Sequence, residues 1–580
     1  MTVSSHPAAA EAVAANTILG HPRGLLILFL TEMWERFSFY GMRGLLILYL
    51  TQHFLFSDEY SNVLFGAYIA LVYVMTIIGG TLADHYLGSR KAVTFGAILL
   101  VFGHLGMAFE GEGSRQIMSY GGSDYVLKLD GRGGDANQML LTASGAESRI
   151  SFTAGGGIMQ VANPAAVDLP ASIDRAEFSV RVEADEFYQN VMYLSLALII
   201  AGVGFLKANI STIVGSLYAL GDARRDSGFT FFYMGINLGA FLSSMLCGYF
   251  GITYGWKYGF GLAGIGMVCG LTIFLRYQDW LEGRAEPPEP ERLRAKVLGP
   301  INVESACYLA GLGIVALSMM IVMNANLVHE GYVGLLGIVI LVGMVGYTFL
   351  RLAGEERDRM LAGLYFILAQ IPFWALFEQA GASLNLFTDR LVDRNLLGFN
   401  VPAPMFQALN AFFIVTFAPL MAWLWVALDK RRLNPSAPVK FALAVFMAGL
   451  GFLTLVGGIK LAGAGMTSMY FIFLIYWVHT IGELMLSPVG LSAVTKLAPA
   501  RAVGMTMGAW FLYSGLGNYL AGVIAAMTGA ETIGGQLTDT AAAKATYVVV
   551  YTQVGYIAMG VALVMLLISP LIRKLMHGIR

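Results

Sequence analysis

Five ionisable residues in this sequence stand among neighbours that should exclude them. Glu32, Glu35, Arg36 and Arg43 fall within ILFLTEMWERFSFYGMRGLLILYL, and Lys207 within LALIIAGVGFLKANISTIVG. A Lys, Arg or Asp at the centre of a lipid-spanning helix costs about 2.5–3.5 kcal/mol even on permissive insertion scales, so such groups usually face a polar cavity. At about 100° per residue, Glu35 lies roughly 60° to one side of Glu32, Arg36 roughly 40° and Arg43 roughly 20° to the other, with Phe39 and Tyr40 on the same stripe. Two acids and two bases on one stripe describe an ion-paired, water-accessible wall. A purely structural salt bridge between helices is the alternative reading. Downstream, IPFWALFEQ holds Trp374 and Glu378 one turn apart, FFYMGINLGAF holds Asn237 between Gly235 and Gly239, and IGELMLSPVGLS holds Glu483 shortly before Pro488. The glycines allow a neighbouring helix to approach closely, and Pro488 should break or kink its helix. Acids and bases divided between both halves of the chain predict a central polar site at the interface between repeats.

The elements that must carry these residues follow from composition. Of the 580 residues, 57% are hydrophobic and 13% charged, against about 25% charged in ordinary soluble domains. A chain this apolar needs a bilayer rather than a polar shell. The net charge of −1 offers no field for nucleic acid, and the 69 glycines suit close helix packing in lipid. Cys247, Cys269 and Cys307 sit in apolar runs without disulfide or metal-ligand spacing. Apolar stretches of about 20 residues recur. They predict spans at 24–52, 62–83, 91–109, 188–214, 229–250, 257–276, 303–323, 332–351, 359–386, 403–428, 439–459, 467–496, 504–528 and 546–573, fourteen helices in all. The alanine-rich N-terminus shows no removable signal peptide, so the first span is expected to target and anchor the protein.

Orientation follows from the basic residues. Arg90 and Lys91, Arg224 and Arg225, the cluster from Arg276 to Lys296, Arg351 to Arg359, Lys430 to Arg432, and Arg573 with Lys574 fall in alternate loops. That asymmetry predicts a multi-pass protein of the cell inner (plasma) membrane with both termini cytoplasmic. Arg390 and Arg394 are the main exceptions. The chain divides into an N-terminal six-helix bundle (1–276), a charged cytoplasmic linker (277–302), an extra helical hairpin (303–351) and a C-terminal six-helix bundle (359–580). Segment 110–187 interrupts the first bundle between its third and fourth helices. Its alternation of apolar and polar residues around glycine-rich turns predicts short β-strands in a small extracytoplasmic, β-rich insertion, read as a spacer.

The residues quoted above carry a resemblance. Glu32-Met-Trp-Glu35-Arg36-Phe37-Ser-Phe39-Tyr40 resembles the E-x-x-E-R-F-x-Y-Y motif of the proton-dependent oligopeptide transporters of the major facilitator superfamily. FFYMGINLGAF resembles that family's fifth-helix signature, and GGTLADHYLGSRK, with Asp84, the cytoplasmic loop motif of the wider superfamily. GELMLSPVGLS and MGAWFLYSGLGN are similar to its tenth and eleventh core helices. The resemblance spans nearly the whole chain except 110–187. It implies an all-α polytopic major facilitator fold of two six-helix bundles plus a two-helix insertion. By the same resemblance, Arg36, Arg43 and Lys207 would hold a substrate carboxylate. Glu483, with Asn237 and Asn410, would receive a terminal ammonium. Tyr40, Tyr73, Trp374, Trp510 and Ser514 would line side-chain pockets, and Glu32, Glu35 and Glu378, with Arg36 and Lys207, would handle the proton. The motif's first tyrosine is Phe39 here, which removes one hydroxyl. His104 and His479 fall in no motif carried over and read as structural.

The function so implied is proton-coupled import of di- and tripeptides by alternating access, by a protein acting as a monomer with no cofactor or metal. The alternative is a carrier of another small organic anion or zwitterion on the same fold. Other classes fit less well. A channel would be obstructed by Lys207 and the ion-paired first span. A membrane enzyme would need a nucleophile or metal cluster, and no Ser-His-Asp, H-E-x-x-H or Cys/His pattern is present.

Overall fold

Long apolar segments in lipid must satisfy their own backbone groups, which leaves the helix as the available form. A computed structural model describes residues 17–130, 137–153, 155–219, 222, 224–327, 331 and 333–579. The N-terminal segment read for targeting signals, 1–16, lies outside these. The helices α1 (Arg23–Gln52), α2 (Asp58–Leu82), α3 (Gly88–Met107), α4 (Glu186–Ser216), α5 (Arg225–Tyr254) and α6 (Trp256–Tyr277) surround one hydrophobic core. The pair α7 (Val303–Met323) and α8 (Val333–Arg351) follows. The second core lies among α9 (Gly354–Ala369), α10 (Ile371–Phe377), α11 (Ser383–Leu391), α12 (Ala408–Lys430), α13 (Ala437–Ala462), α14 (Tyr470–Leu497), α15 (Val503–Ala526) and α16 (Thr540–Leu575). By length and composition, 11 segments of this set can cross a membrane, one of them joining α2 to α3 and one running from α9 to α11. The more polar α1 and α15 add two further long rods.

Helix starts obey local chemistry. Ser57 accepts a hydrogen bond from the Tyr60 amide at 3.2 Å, Asn302 from Ser305 at 2.8 Å and Asp539 from Ala541 at 2.9 Å, capping α2, α7 and α16. Two expectations change. The ninth span, expected as one helix over 359–386, is three pieces, because Pro372 lacks an amide hydrogen and Glu378–Gly381 tightens into a 3₁₀ turn. Conversely, of the break or kink expected at Pro488, the break does not occur, since α14 runs on as one helix through it.

The two bundles meet where α2 crosses α15. A Cβ on Gly66 would stand 2.7 Å from the Gly522 Cα, so the two backbones touch there with no room for a side chain. The linker is fastened rather than loose. Arg90 donates to both carboxylate oxygens of Glu286 at 2.6 and 2.9 Å, and this pairing holds the Glu286 carboxyl below its usual range.

The insertion is an antiparallel sheet of strands β1 (Arg115–Tyr120), β2 (Ser123–Asp130), β3 (Asn137–Leu141), β4 (Glu147–Phe152), β5 (Ile158–Val161), β6 (Ser172–Asp174) and β7 (Ser179–Glu183). Their order is β6-β5-β4-β3-β2-β1-β7. One face carries Met118, Leu127, Leu140 and Met159 into a separate small core, as the alternating pattern requires.

Candidate functional site

A cavity of about 270 Å³ lies between the two bundles. Its N-terminal wall carries Glu32, Arg36, Tyr40 and Arg43 from α1, Tyr73 from α2, Lys207 from α4 and Asn237 from α5. Its C-terminal wall carries Trp374 from α10, Asn410 from α12, Glu483 from α14, and Trp510 and Ser514 from α15. Residues scattered over most of the sequence thus converge on one space.

Close packing sets the α1 wall in place. Cβ atoms on Gly235 and Gly239 of α5 would crowd the Phe29 carbonyl at 3.0 Å and the Arg36 Cβ at 3.1 Å, so α5 lies directly on the turn that carries Arg36. Arg36 pairs with Glu35 and, at 3.3 Å, with Glu32. Arg43 pairs with Glu378 across the interface between bundles. Lys207 Nζ stands 4.4 Å from the centroid of the Tyr73 ring, a cation–π geometry. Among the described residues, Lys207 makes no ion pair within 4 Å, unlike the two arginines.

The opposite wall is acidic. Asn410 Nδ2 donates to Glu483 Oε2 at 2.8 Å and to Thr480 Oγ1 at 3.1 Å. The Asn237 amide nitrogen donates to the Tyr233 carbonyl of its own helix at 3.0 Å. The cavity is therefore two-signed, with cations on the first bundle facing a carboxylate on the second.

The single-stripe expectation for α1 holds only in part. Glu35 is fully buried behind Arg36, and neither it nor Phe39 lines the cavity. The hydroxyl that Phe39 lacks is therefore missing from the helix packing rather than from the cavity wall. Phe39 instead lies beneath the Arg36 guanidinium, 5.1 Å from ring centroid to Cζ. Glu378 is also off the wall, beneath Arg43. His479 lines the cavity, with its Nε2 3.0 Å from the Ala448 carbonyl. His104 is buried away from it.

Other residues at the site have no signature in the sequence. Gln370, fully buried at the α9–α10 break, accepts from Trp374 Nε1 at 3.1 Å and Ser514 Oγ at 3.0 Å. It donates to the Trp510 carbonyl at 3.0 Å. One carboxamide thus holds three wall residues. Tyr233, Gln407 and Tyr476 also line the cavity. Toward the end of the bundles that bears the insertion, Arg390 donates to both oxygens of Asp58 at 2.6 and 2.9 Å, and Gln52 donates to Asp389 at 2.8 Å. These contacts close the bundles on each other at that end. The exceptional position of Arg390 among the basic residues was the one sequence signal for this latch.

Comparison with known proteins agrees with this architecture. The model of the POT family matches residues 90–540. The peptide transporter YePEPT of Yersinia enterocolitica is 31% identical, with 97% of each chain covered. Dipeptide and tripeptide permease B of Salmonella typhimurium is 28% identical over 97% of this chain and 98% of its own. Among solved structures, a mutant of peptide transporter POT in complex with alafosfalin superposes with a TM-score of 0.73 at 31% identity, covering 98% of this chain and 99% of that one. A POT family transporter in complex with 5-aminolevulinic acid superposes at 0.70 with 26% identity, covering 96% and 98%. A family signature over most of the sequence and a fold shared nearly end to end lead to one conclusion: the chain belongs to the POT family, whose members are transporters of major facilitator fold rather than enzymes.

Proposed function

We propose that this protein is a proton-coupled symporter that imports di- and tripeptides across the inner membrane by alternating access, with both termini in the cytoplasm. The observation that carries the reading is the two-signed cavity. Arg36 and Lys207 stand on one bundle and Glu483 on the other, with the Arg43–Glu378 pair bridging them. A zwitterionic peptide offers a carboxylate to the first wall and an ammonium to the second, so binding draws the bundles together. The names of YePEPT and the permease support peptide substrates. The cavity is complete within one chain, which suits a monomer acting alone.

In this mechanism a proton from outside neutralises one of the Glu32, Glu35 and Glu378 carboxylates. Its paired arginine is released toward the peptide carboxylate while Glu483 holds the amine. With the central charges compensated, the bundles rock and open inward. Proton and peptide leave, and the ion pairs re-form. Each proton contributes about 2.3 kcal/mol per 100 mV of membrane potential and about 1.4 kcal/mol per pH unit, enough for roughly tenfold or greater accumulation.

The test is dipeptide uptake into proteoliposomes with pH gradient and potential set independently. Uptake is expected to require the inward proton gradient. Unchanged concentrative uptake with that gradient collapsed and no other ion gradient present would overturn the coupling. A second reading, import of another small zwitterion, is favoured by the relative bound to 5-aminolevulinic acid. It would prevail if that compound outcompeted dipeptides.

A further inference from the structure

The β-rich insertion belongs by sequence to the first bundle, yet it is docked on the second. At its root, the Ser114 amide donates to the His53 carbonyl at 2.9 Å, tying it to the α1–α2 loop. Its far contact is the loop between α15 and α16, where Thr532–Ile533 and Gln536–Leu537 pair as a short hairpin. Ile533 of that hairpin is 2% exposed and sits within the insertion's own hydrophobic core, the one buried member among the described residues that comes from outside the insertion. Gln138 donates to the Ile533 carbonyl, and the Gly534 amide donates to the Gln116 side-chain oxygen. Both glutamines are buried. At the rim, Arg175 donates to Glu531 at 2.8 Å. A spacer would not need an apolar plug and matched buried amides in a partner.

The same loop feeds the latch. The Ala530 amide, next to Glu531, donates to Asp58 Oδ2 at 3.2 Å, the oxygen that also takes Arg390. Clasp and latch therefore form one continuous contact between the bundles at the insertion end.

We infer that the insertion is a clasp that holds the outer end of the transporter closed, and that the Ile533 hairpin must undock from it whenever the cavity opens outward. The inference rests on the alternating-access reading. The insertion is covalently part of the first bundle, while the hairpin is anchored in the second. Rocking the outer ends apart therefore has to pull Ile533 from its pocket. The clasp biases the resting protein toward the inward-facing state and makes outward opening depend on the insertion.

Two measurements test this. In Arg175→Cys/Glu531→Cys protein, a short reducible bis-thiosulfonate bridge should lower uptake at least about tenfold, with recovery on reduction, since one state of the cycle is removed. The single-cysteine variants treated identically should be unaffected. Parental uptake by the bridged protein would overturn the clasp. Independently, spin labels on the exposed Glu59 and Asn395, at the outer ends of the two bundles, report opening without any substrate. Ile533→Asp, and the milder Gln138→Leu in case the first disturbs the sheet, should shift the distances toward longer values. An unchanged distribution in both variants would also overturn it. If the parent takes up no dipeptide, the substrate reading fails and the distance measurement still decides the clasp.

Discussion

In the proposed mechanism Arg36, Lys207 and Glu483 select the substrate, because all three charges line the cavity and Lys207 has no ion pair within 4 Å among the described residues. Lys207→Ala and Arg36→Ala are expected to abolish gradient-driven uptake while leaving a folded, inserted protein. Uptake assays beside size-exclusion profiles check this, and parental transport by either variant would remove its assigned role. Glu483 makes a different demand. A buried acid left without its cation costs several kcal/mol, so N-acetylation of a dipeptide should weaken its competition against a labelled one, and Glu483→Gln should reduce that discrimination. Equal competition by both forms in the parent would take Glu483 out of the ammonium site. Gln370 acts through others. Gln370→Leu leaves the Trp374 indole N–H without its acceptor, at about 1–3 kcal/mol. The expected result is a lower melting temperature together with an altered preference among dipeptides of different side-chain size.

At the scale of elements, the packing of α2 against α15 depends on two glycines that face each other. Gly66→Leu would drive a side chain into the Gly522 backbone, and overpacking of this kind typically costs about 1–3 kcal/mol. Thermal unfolding in detergent should show the loss, and an unchanged midpoint would mean that the helices can slide apart without penalty. The break between α9 and α10 is equally local in origin. Pro372 ends one helix and the 3₁₀ turn after Phe377 re-aims the chain, which brings Glu378 beneath Arg43 instead of continuing along a straight rod.

For the whole molecule, the proposed alternation between inward- and outward-facing states would have to break the contacts at the insertion end. The Asp58–Arg390 pair is almost wholly buried, and breaking such a pair by removing one partner costs about 3–5 kcal/mol. Asp58→Asn is therefore expected to populate the outward-open state and slow net uptake. The label pair on Glu59 and Asn395 would read it as longer distances, and a distribution like the parent's would show that the pair does not govern closure.

The helical architecture, the position of most spans and the charged residues of the cavity wall, Glu32, Arg36, Arg43, Lys207 and Glu483, were legible in the sequence. An apolar run in lipid has one way to satisfy its backbone, and a charge inside such a run must find water or a partner. Phe39 shows the limit of motif reading, since Arg36, Tyr40 and Arg43 on the same stripe enter the cavity while it packs beneath Arg36. Gln370, Asp58 and the hairpin at Ile533 had no signature, because a buried amide, a capped helix start and one isoleucine are ordinary in isolation. Their roles arise only when distant segments meet: Gln370 through α15, Asp58 through Arg390, and Ile533 through a sheet inserted into the other bundle. Local chemistry in the sequence determined which helices form and which charges need partners. Only the tertiary structure decided which partners they have and at which end the two bundles are tied together, because those depend on contacts between residues hundreds of positions apart.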